Sequence, residues 1–449
     1  MDPFFIQESG MASSPTAPIA TVSGGDTRNY TFALVVLTSL FFMWGFLTCL
    51  NDILIPHLKA VFTLNYTQVM LIQFSFFTAY AIVSIPAGFL VEKVGYKYGI
   101  VAGLLTGGAG CLLFYPAAGA QSYGMFLAAL FVLAAGITVL QVAANPYVAI
   151  LGRPETASSR LSLSQAINSL GHTIAPYIGS LLILSVAVKT VDELRAMTPQ
   201  QIEAYQLTEA SAVQTPYLWL AGVLVAIAVI FAVIKLPKIE ASEVGSSGEG
   251  GGNMHDLHHS AWGYKHLVLG AVGIFLYVGA EVSIGSFLVN YFGQANIAAL
   301  DPADAGKFVS FYWGAAMVGR FIGSAVQRVV RPAKVLVVNA FIAAGLVILS
   351  MLSFGHVAMW SILAVGLFNS IMFPTIFTLA IDGLGKHTGQ ASGILCTAIV
   401  GGAIVPVVQG YFADTIGIHH AFFIPVLCYL YVAYYGIKGH TPGVLAAKA

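Results

Sequence analysis

A carboxylate inside an apolar run is the first feature of chemical interest. The run extends from about Tyr30 to Pro56, and Asp52 sits near its far end beside the amide of Asn51. Wound as a helix, it places Trp44, Thr48 and Asp52 at i, i+4 and i+8, so a ring, a hydroxyl and a carboxylate line one face. An ionisable group at membrane depth costs roughly 2.5–3.5 kcal/mol and is a functional candidate by default. The plain alternative is a carboxylate that reaches interfacial water at a helix end. A second lone acid, Glu281, lies in the middle of another apolar run with Tyr277 one turn before it, and Arg320 is available as an interhelical partner. Amides form two further stripes. Gln141 and Asn145 are spaced i, i+4, while Gln165, Asn168 and His172 are spaced i, i+3, i+7. Such stripes suit a neutral ligand rich in hydroxyls, each both donor and acceptor, or else they tie helices together. Asn145 has a competing task, since Pro146 leaves a carbonyl without its helical donor. Asn290, Asn369 and Gln73 are further polar candidates, and Trp44, Tyr312 and Trp313 could stack on an apolar ligand face.

These groups must be positioned by an unusual chain. Its 449 residues are 58% hydrophobic and only 8% charged, where a soluble domain carries about 25% charged residues. That excludes a soluble fold of this size and makes the class an all-α polytopic membrane protein. Net charge is zero, so nothing points to nucleic acid. Cys49, Cys111, Cys396 and Cys428 lie in apolar runs without CxxC spacing and read as small apolar side chains. No metal, cofactor, nucleophile-motif or phosphate-loop pattern appears, which argues against an enzyme. His255, His258 and His259 fall in a polar segment and read as solvated.

Twelve runs are long enough to cross a bilayer of about 30 Å. They lie near 30–56, 67–91, 98–118, 122–150, 161–186, 215–236, 265–292, 306–327, 334–354, 357–381, 390–412 and 419–437. The Gly/Ser-rich stretch between runs six and seven is a flexible linker. The expected organisation is a disordered N-terminus (1–29), a six-helix half (30–237), a linker (238–264), a second six-helix half (265–438) and a tail (439–449). Met11 offers an alternative start. With both termini cytoplasmic, fourteen of the nineteen Lys and Arg fall on the cytoplasmic side and four outside, with Arg320 left in a span, a clear positive-inside bias. One outer loop contains Thr198-Pro199-Gln200-Gln201, a capping box that predicts a short surface helix.

The halves repeat one another. Gly88, Glu92 and Lys93 after the second span match Gly323, Gln327 and Arg328 after the eighth, and Asn145-Pro146 in span four sits opposite Phe373-Pro374 in span ten. Two such pseudo-symmetric halves place a site between them near the midplane. In the stretch Gly88–Lys97, Gly88 permits close helix approach and Gly95 a tight turn, while Glu92, Lys93 and Lys97 can bridge helix ends. This cluster, with Arg320 and Arg328, is the expected gate.

The Gly88–Lys97 stretch resembles the loop motif of the major facilitator superfamily, with Glu92 where an Asp is usual. Within it, Leu50-Asn51-Asp52-Ile53-Leu54, Ala143-Ala144-Asn145-Pro146 and Gln214-Thr215-Pro216-Tyr217 resemble the fucose–galactose–glucose symporter family, and Gly279–Phe287 resembles its bacterial glucose/galactose members. The resemblance implies cation coupling at Asp52 and sugar binding at Gln165 and Asn168; residue type and spacing add Asn51 and Thr48 beside Asp52, and Gln141, Glu281, Asn145, Asn290, Asn369, Gln73 and Trp44 as candidate sugar contacts. It implies a monomer of the bacterial inner membrane that takes hexoses across the lipid bilayer by alternating access. One departure matters: Gln141 stands where the fucose–proton symporter carries a glutamate, and an amide takes up no proton. The coupling ion is therefore sodium or a proton, with a lean to sodium. A drug exporter of the same fold and a membrane sensor are the competing readings. The nearly uncharged pocket speaks against the first, and the sequence shows no soluble output domain for the second.

Overall fold

The computed structural model describes residues 27–62, 66–182, 197–236 and 260–442. Within the helices, the side chains at 27–30, 49–62, 66–73, 176–182, 199, 203, 206–213 and 302–303 lie outside that description. The N-terminal segment and most of the linker, for which the sequence predicts disorder, fall outside it too.

Among the described residues there is no strand, and twelve long helices follow one another. The first half contains α1 (Thr27–Phe62), α2 (Tyr66–Val94), α3 (Tyr96–Gly119), α4 (Tyr123–Ile150), α5 (Ala157–Leu182) and α6 (Pro199–Val233). The second contains α7 (Lys265–Phe292), α8 (Pro302–Val326), α9 (Pro332–Leu352), α10 (Gly355–Ala380), α11 (Gly385–Ile416) and α12 (Ile418–Gly439). Ten of these are long and apolar enough to cross a membrane. The two that fall short, α5 and α8, carry polar side chains along an inner face: Ser162, Gln165 and Asn168 on one, Arg320 and Gln327 at the end of the other. They pack against each other, and polar groups can be held there because they are screened from lipid by protein.

Apolar side chains cover the outside, the reverse of a soluble fold. Trp219, Val233, Leu352 and Val407 are between 72% and 78% exposed. Within each half, helices approach closely at small residues. On α3 a Cβ at Gly110 would lie 2.6 Å from the Cα of Leu133 on α4, so only glycine fits that crossing. Across the halves α2 packs against α11 and α5 against α8.

One expectation changes. The capping box exists: the Thr198 hydroxyl accepts from the Gln201 amide and the Gln201 side chain accepts from the Thr198 amide. The helix it starts is not short. It runs 35 residues without interruption through Pro216 into the sixth span, because one interior proline is tolerated in a membrane helix whose freed groups find other partners. Span ten, in contrast, does break. It stops being helical at residues 370–371, four residues before Pro374, where the missing N–H and the ring deprive the preceding turn of its bond.

Candidate functional site

The polar residues meet where α4, α5 and α2 of the first half face α7, α8, α10 and α11 of the second. Gln141, on α4, is nearly buried and donates to the Tyr80 hydroxyl of α2 at 2.6 Å, and its side-chain oxygen meets no partner among the described residues. The side chain of Gln165, on α5, has no hydrogen-bond partner among the described residues although the residue is only 9% exposed. One turn on, the Ser169 hydroxyl donates to the Gln165 carbonyl at 3.0 Å. Glu281, mid-way along α7, lies 3.5 Å from Nη2 of Arg320 on α8, and both side chains are largely buried. Arg320 also donates from Nη1 to the hydroxyl of Ser169 across the interface and from Nε to the Ser370 carbonyl at 3.2 Å. Behind Glu281, Tyr312 donates to the Glu281 backbone carbonyl at 3.3 Å, and Asn369 donates to Tyr312 at 2.7 Å and to Tyr429 at 3.3 Å. A continuous polar path thus runs from Gln165 in one half to Asn369 and Tyr429 in the other.

Not every expected contact stands in that path. Asn168 donates to the Phe41 carbonyl of α1 at 2.8 Å, and a Cβ at Gly45 would lie 2.7 Å from its amide nitrogen, so this side chain ties α5 to α1. His172 lies against the Asn168 carbonyl at 3.2 Å. Asn369 is fully buried at the far end of that path, where two tyrosines hold its amide nitrogen. Asn145 is also fully buried, and among the described residues its side chain lies beside the Cys396 thiol of α11. The task suggested for it belongs elsewhere: the Val142 carbonyl, freed by Pro146, accepts from Ser392 of α11 at 2.8 Å. Asn290 is exposed near the end of α7, nine residues and about half a helical circumference from Glu281. Trp44 is buried against Phe41, with ring centroids 4.1 Å apart, and the Thr48 hydroxyl donates to the Trp44 carbonyl at 2.7 Å. Asp52 and Asn51 lie on α1 and Gln73 on α2, but their side chains are outside the described residues.

The gate residues divide by what they touch. Glu92, at the end of α2, accepts from the backbone N–H and the side-chain amide of Gln390 at 3.1 and 2.9 Å. Those donors stand in the first turns of α11, where N–H groups lack helical partners and favour an anion. Gly88 lets the same helices touch: a Cβ there would lie 2.8 Å from the Gly389 carbonyl oxygen. Gly95 takes φ 83°, the left-handed turn expected of it. Lys97 bonds the Ala232 carbonyl at 2.9 Å within its own half, and Lys93 is exposed with no ion pair among the described residues, so neither bridges the halves. Arg328 does, reaching the Ser159 hydroxyl at 3.4 Å. Gln327, the repeat partner of Glu92, likewise bonds across, accepting from Ser162 at 2.9 Å. Both halves therefore use the same repeat position to hold the other.

Several contributors escaped sequence reasoning. Ser158 meets Thr378 at 2.5 Å, and Ser159 donates to the Ser324 carbonyl at 2.6 Å. The signal was the serine-rich start of α5, Ser158-Ser159-Arg160-Leu161-Ser162-Leu163-Ser164, unusual in a span. Gln390, Ser392 and Tyr80 carried no comparable signal. Arg160, counted only as a topogenic charge, caps the end of α4 by donating to the Val148 and Ala149 carbonyls at 3.1 and 2.5 Å. The described cysteines, Cys111, Cys396 and Cys428, are buried and free.

Comparison with known proteins agrees with this architecture. The family model of the Major Facilitator Superfamily matches residues 32–399. The chain is 57% identical over 430 residues to a glucose/galactose transporter of Brucella abortus, covering 96% of this chain and 99% of that one. It is 35% identical over 412 residues to the L-fucose-proton symporter of Escherichia coli, covering 90% and 92%. A crystal structure of the major facilitator transporter FucP in the outward conformation superposes with a TM-score of 0.83 at 35% identity, covering 91% of this chain and 99% of that one. A membrane-embedded pair of six-helix halves, joined through the same repeat positions and matched along nearly its whole length, is a member of the major facilitator superfamily, in its fucose–galactose–glucose symporter family.

Proposed function

We propose that the chain is a secondary active importer of hexoses of the glucose and galactose type, coupled to a sodium or proton gradient and working by alternating access. The observation that supports this best is the 57% identity, over almost the full length of both chains, with a protein named as a glucose/galactose transporter. The site agrees in character. The amide of Gln165, the side-chain oxygen of Gln141 and the carboxylate of Glu281 offer donors and acceptors to sugar hydroxyls, and Arg320 balances the carboxylate so that no net charge selects an ion. Cation coupling is assigned to Asp52 on α1. Its neutralisation removes a charge at membrane depth and lets the halves move around the bound sugar. With Gln141 in place of an acid, Asp52 acts alone or with Glu281.

The polar contacts between halves run from the Arg320–Ser169 level to the face that carries Glu92, Arg328 and the linker. This pattern suits a state closed on the linker face. With the Lys and Arg bias, it supports a protein of the bacterial inner membrane with its linker and termini cytoplasmic and its site reached from outside. The protein acts as a monomer in the lipid bilayer.

The test is uptake of labelled D-glucose into liposomes holding the purified protein. Accumulation is expected under an imposed sodium or proton gradient, and Asp52→Asn should abolish accumulation while sparing sugar exchange. Uptake indifferent to both gradients and to Asp52→Asn would remove the coupling assignment. A thermal-shift panel of hexoses, pentoses and cationic drugs separates this reading from a drug exporter.

A further inference from the structure

The polar bonds between α5 and α8 form an antiparallel ladder, and Arg320 is its innermost charged rung. Ser159 meets Ser324 and Arg328, Ser162 meets Gln327, Ser169 meets Arg320, and Thr173 meets the sulfur of Met317 at 3.7 Å. The rungs toward the linker face are mostly hydroxyls and an amide, which need no counter-charge. Arg320 differs because its guanidinium serves three elements at once. Nε is committed to the Ser370 carbonyl, Nη1 to Ser169 in the other half, and Nη2 to Glu281. The Ser370 carbonyl is available because Pro374, four residues on, has no N–H to offer it. The break in α10 thereby orients the guanidinium plane, aiming one prong at α7 and the other at α5. The Glu281 contact is the slack one. At 3.5 Å it is far longer than the 2.7–2.9 Å typical of a well-formed charged pair.

We infer that Arg320 is the positioning residue through which ligand at Glu281 is felt at the interface between the halves: it clamps α5 to α8 while Glu281 carries no ligand, and it is drawn off Ser169 when a ligand hydroxyl bridges Glu281 and Nη2. The guanidinium is planar and rigid. A hydroxyl entering between Nη2 and the carboxylate replaces a slack contact with well-formed bonds, and the rotation that makes them turns Nη1 away from Ser169. The rungs that remain are mostly neutral, each about half as strong as a charge-assisted bond, and the linker face is then freer to part. The ligand arm of this inference rests on Glu281 as a hexose contact; the clamp itself does not.

The test uses full-length protein with its four native cysteines replaced and one reporter, Ser158→Cys. Ser158 is 3% exposed and sits against Thr378 of the other half, so maleimide reaches it only when the linker face opens. Losing a hydrogen bond to a charged group is worth about 1.5–3 kcal/mol, so Ser169→Ala should raise the ligand-free labelling rate by about tenfold or more. Ser169→Thr, which keeps the hydroxyl, should stay near the parent. Arg320→Lys, which keeps the charge but loses the fork, should behave like Ser169→Ala. D-Galactose should raise labelling of the parent and add little to either loosened variant or to Glu281→Gln. Ligand-free labelling of Ser169→Ala and Arg320→Lys equal to the parent overturns the inference. A parent that labels equally with and without any hexose overturns the ligand arm and counts against the hexose reading, while the ligand-free comparison decides the clamp by itself.

Discussion

Replacing Gly88 by alanine should push the protein out of the state described here. The crossing of α2 and α11 is built from glycines on both sides. A Cβ at Gly88 would lie 2.8 Å from the Gly389 carbonyl oxygen and 3.2 Å from the Gln390 Cα. A Cβ at Gly393 would lie 2.6 Å from the Ser84 carbonyl oxygen. The obstacles are backbone atoms, which cannot rotate aside, so α2 and α11 must separate by roughly half an ångström to restore ordinary contact. Overpacking of this kind costs about 1–3 kcal/mol. The same displacement strains the two bonds from Gln390 to Glu92, at 3.1 and 2.9 Å. The whole cost falls on the state in which α2 and α11 touch, and a state parted on that face does not bear it. A difference of 1–3 kcal/mol is a factor of about 5–150 in relative population. Maleimide labelling of a buried linker-face cysteine should therefore accelerate by about that factor, with little change in thermal stability because the protein escapes the strain by opening. A variant that loses several degrees of melting temperature while labelling at the parental rate would show that the strain stays inside a closed interface, and would refute the reasoning.

Three further outcomes follow from other contacts. Asn369→Ala removes two bonds to buried tyrosines and should cost about 2–4 kcal/mol, seen as a lower melting temperature. Gln165→Ala should raise the KM for hexose uptake by about tenfold, the worth of roughly one hydrogen bond to a polar ligand, and leave stability unchanged; Asn168→Ala, which breaks the tie to Phe41, should show the opposite pattern. Ser392→Ala leaves the Val142 carbonyl without its donor across the interface, and should favour linker-face opening by about fivefold, the value of a bond near 1 kcal/mol, read in the same labelling assay.

Much of the architecture was legible because membrane spans obey simple rules. A run of apolar residues of bilayer length must be a helix, since lipid offers no partner to an open backbone. The repeat was legible too, because Gly88 with Glu92 and Gly323 with Gln327 occupy equivalent places in each half. The paired sites were harder. Amide spacing placed Gln141, Gln165 and Asn168 on inward faces, yet spacing cannot tell a ligand contact from a tie between helices. Asn168 donates to the Phe41 carbonyl of α1, whereas the Gln165 side chain meets no partner among the described residues. Lys97 bridges two helix ends as its charge suggests, but within its own half, and Lys93 is exposed with no ion pair among the described residues.

The sequence by itself determined the class, the two halves, the family, and the two prolines that interrupt helical bonding in α4 and α10. Local chemistry sufficed for these: hydropathy, a missing N–H, a glycine where only glycine fits. What only the tertiary structure decided is who collects what those prolines release. The Val142 carbonyl goes to Ser392 and the Ser370 carbonyl to Arg320, residues 250 and 50 positions away in the chain. No periodicity encodes such partners. The first is chosen by how the two halves meet and the second by how α8 packs against α10 within one half, and the meeting of the halves is where Glu281, Arg320 and Ser169 become one device.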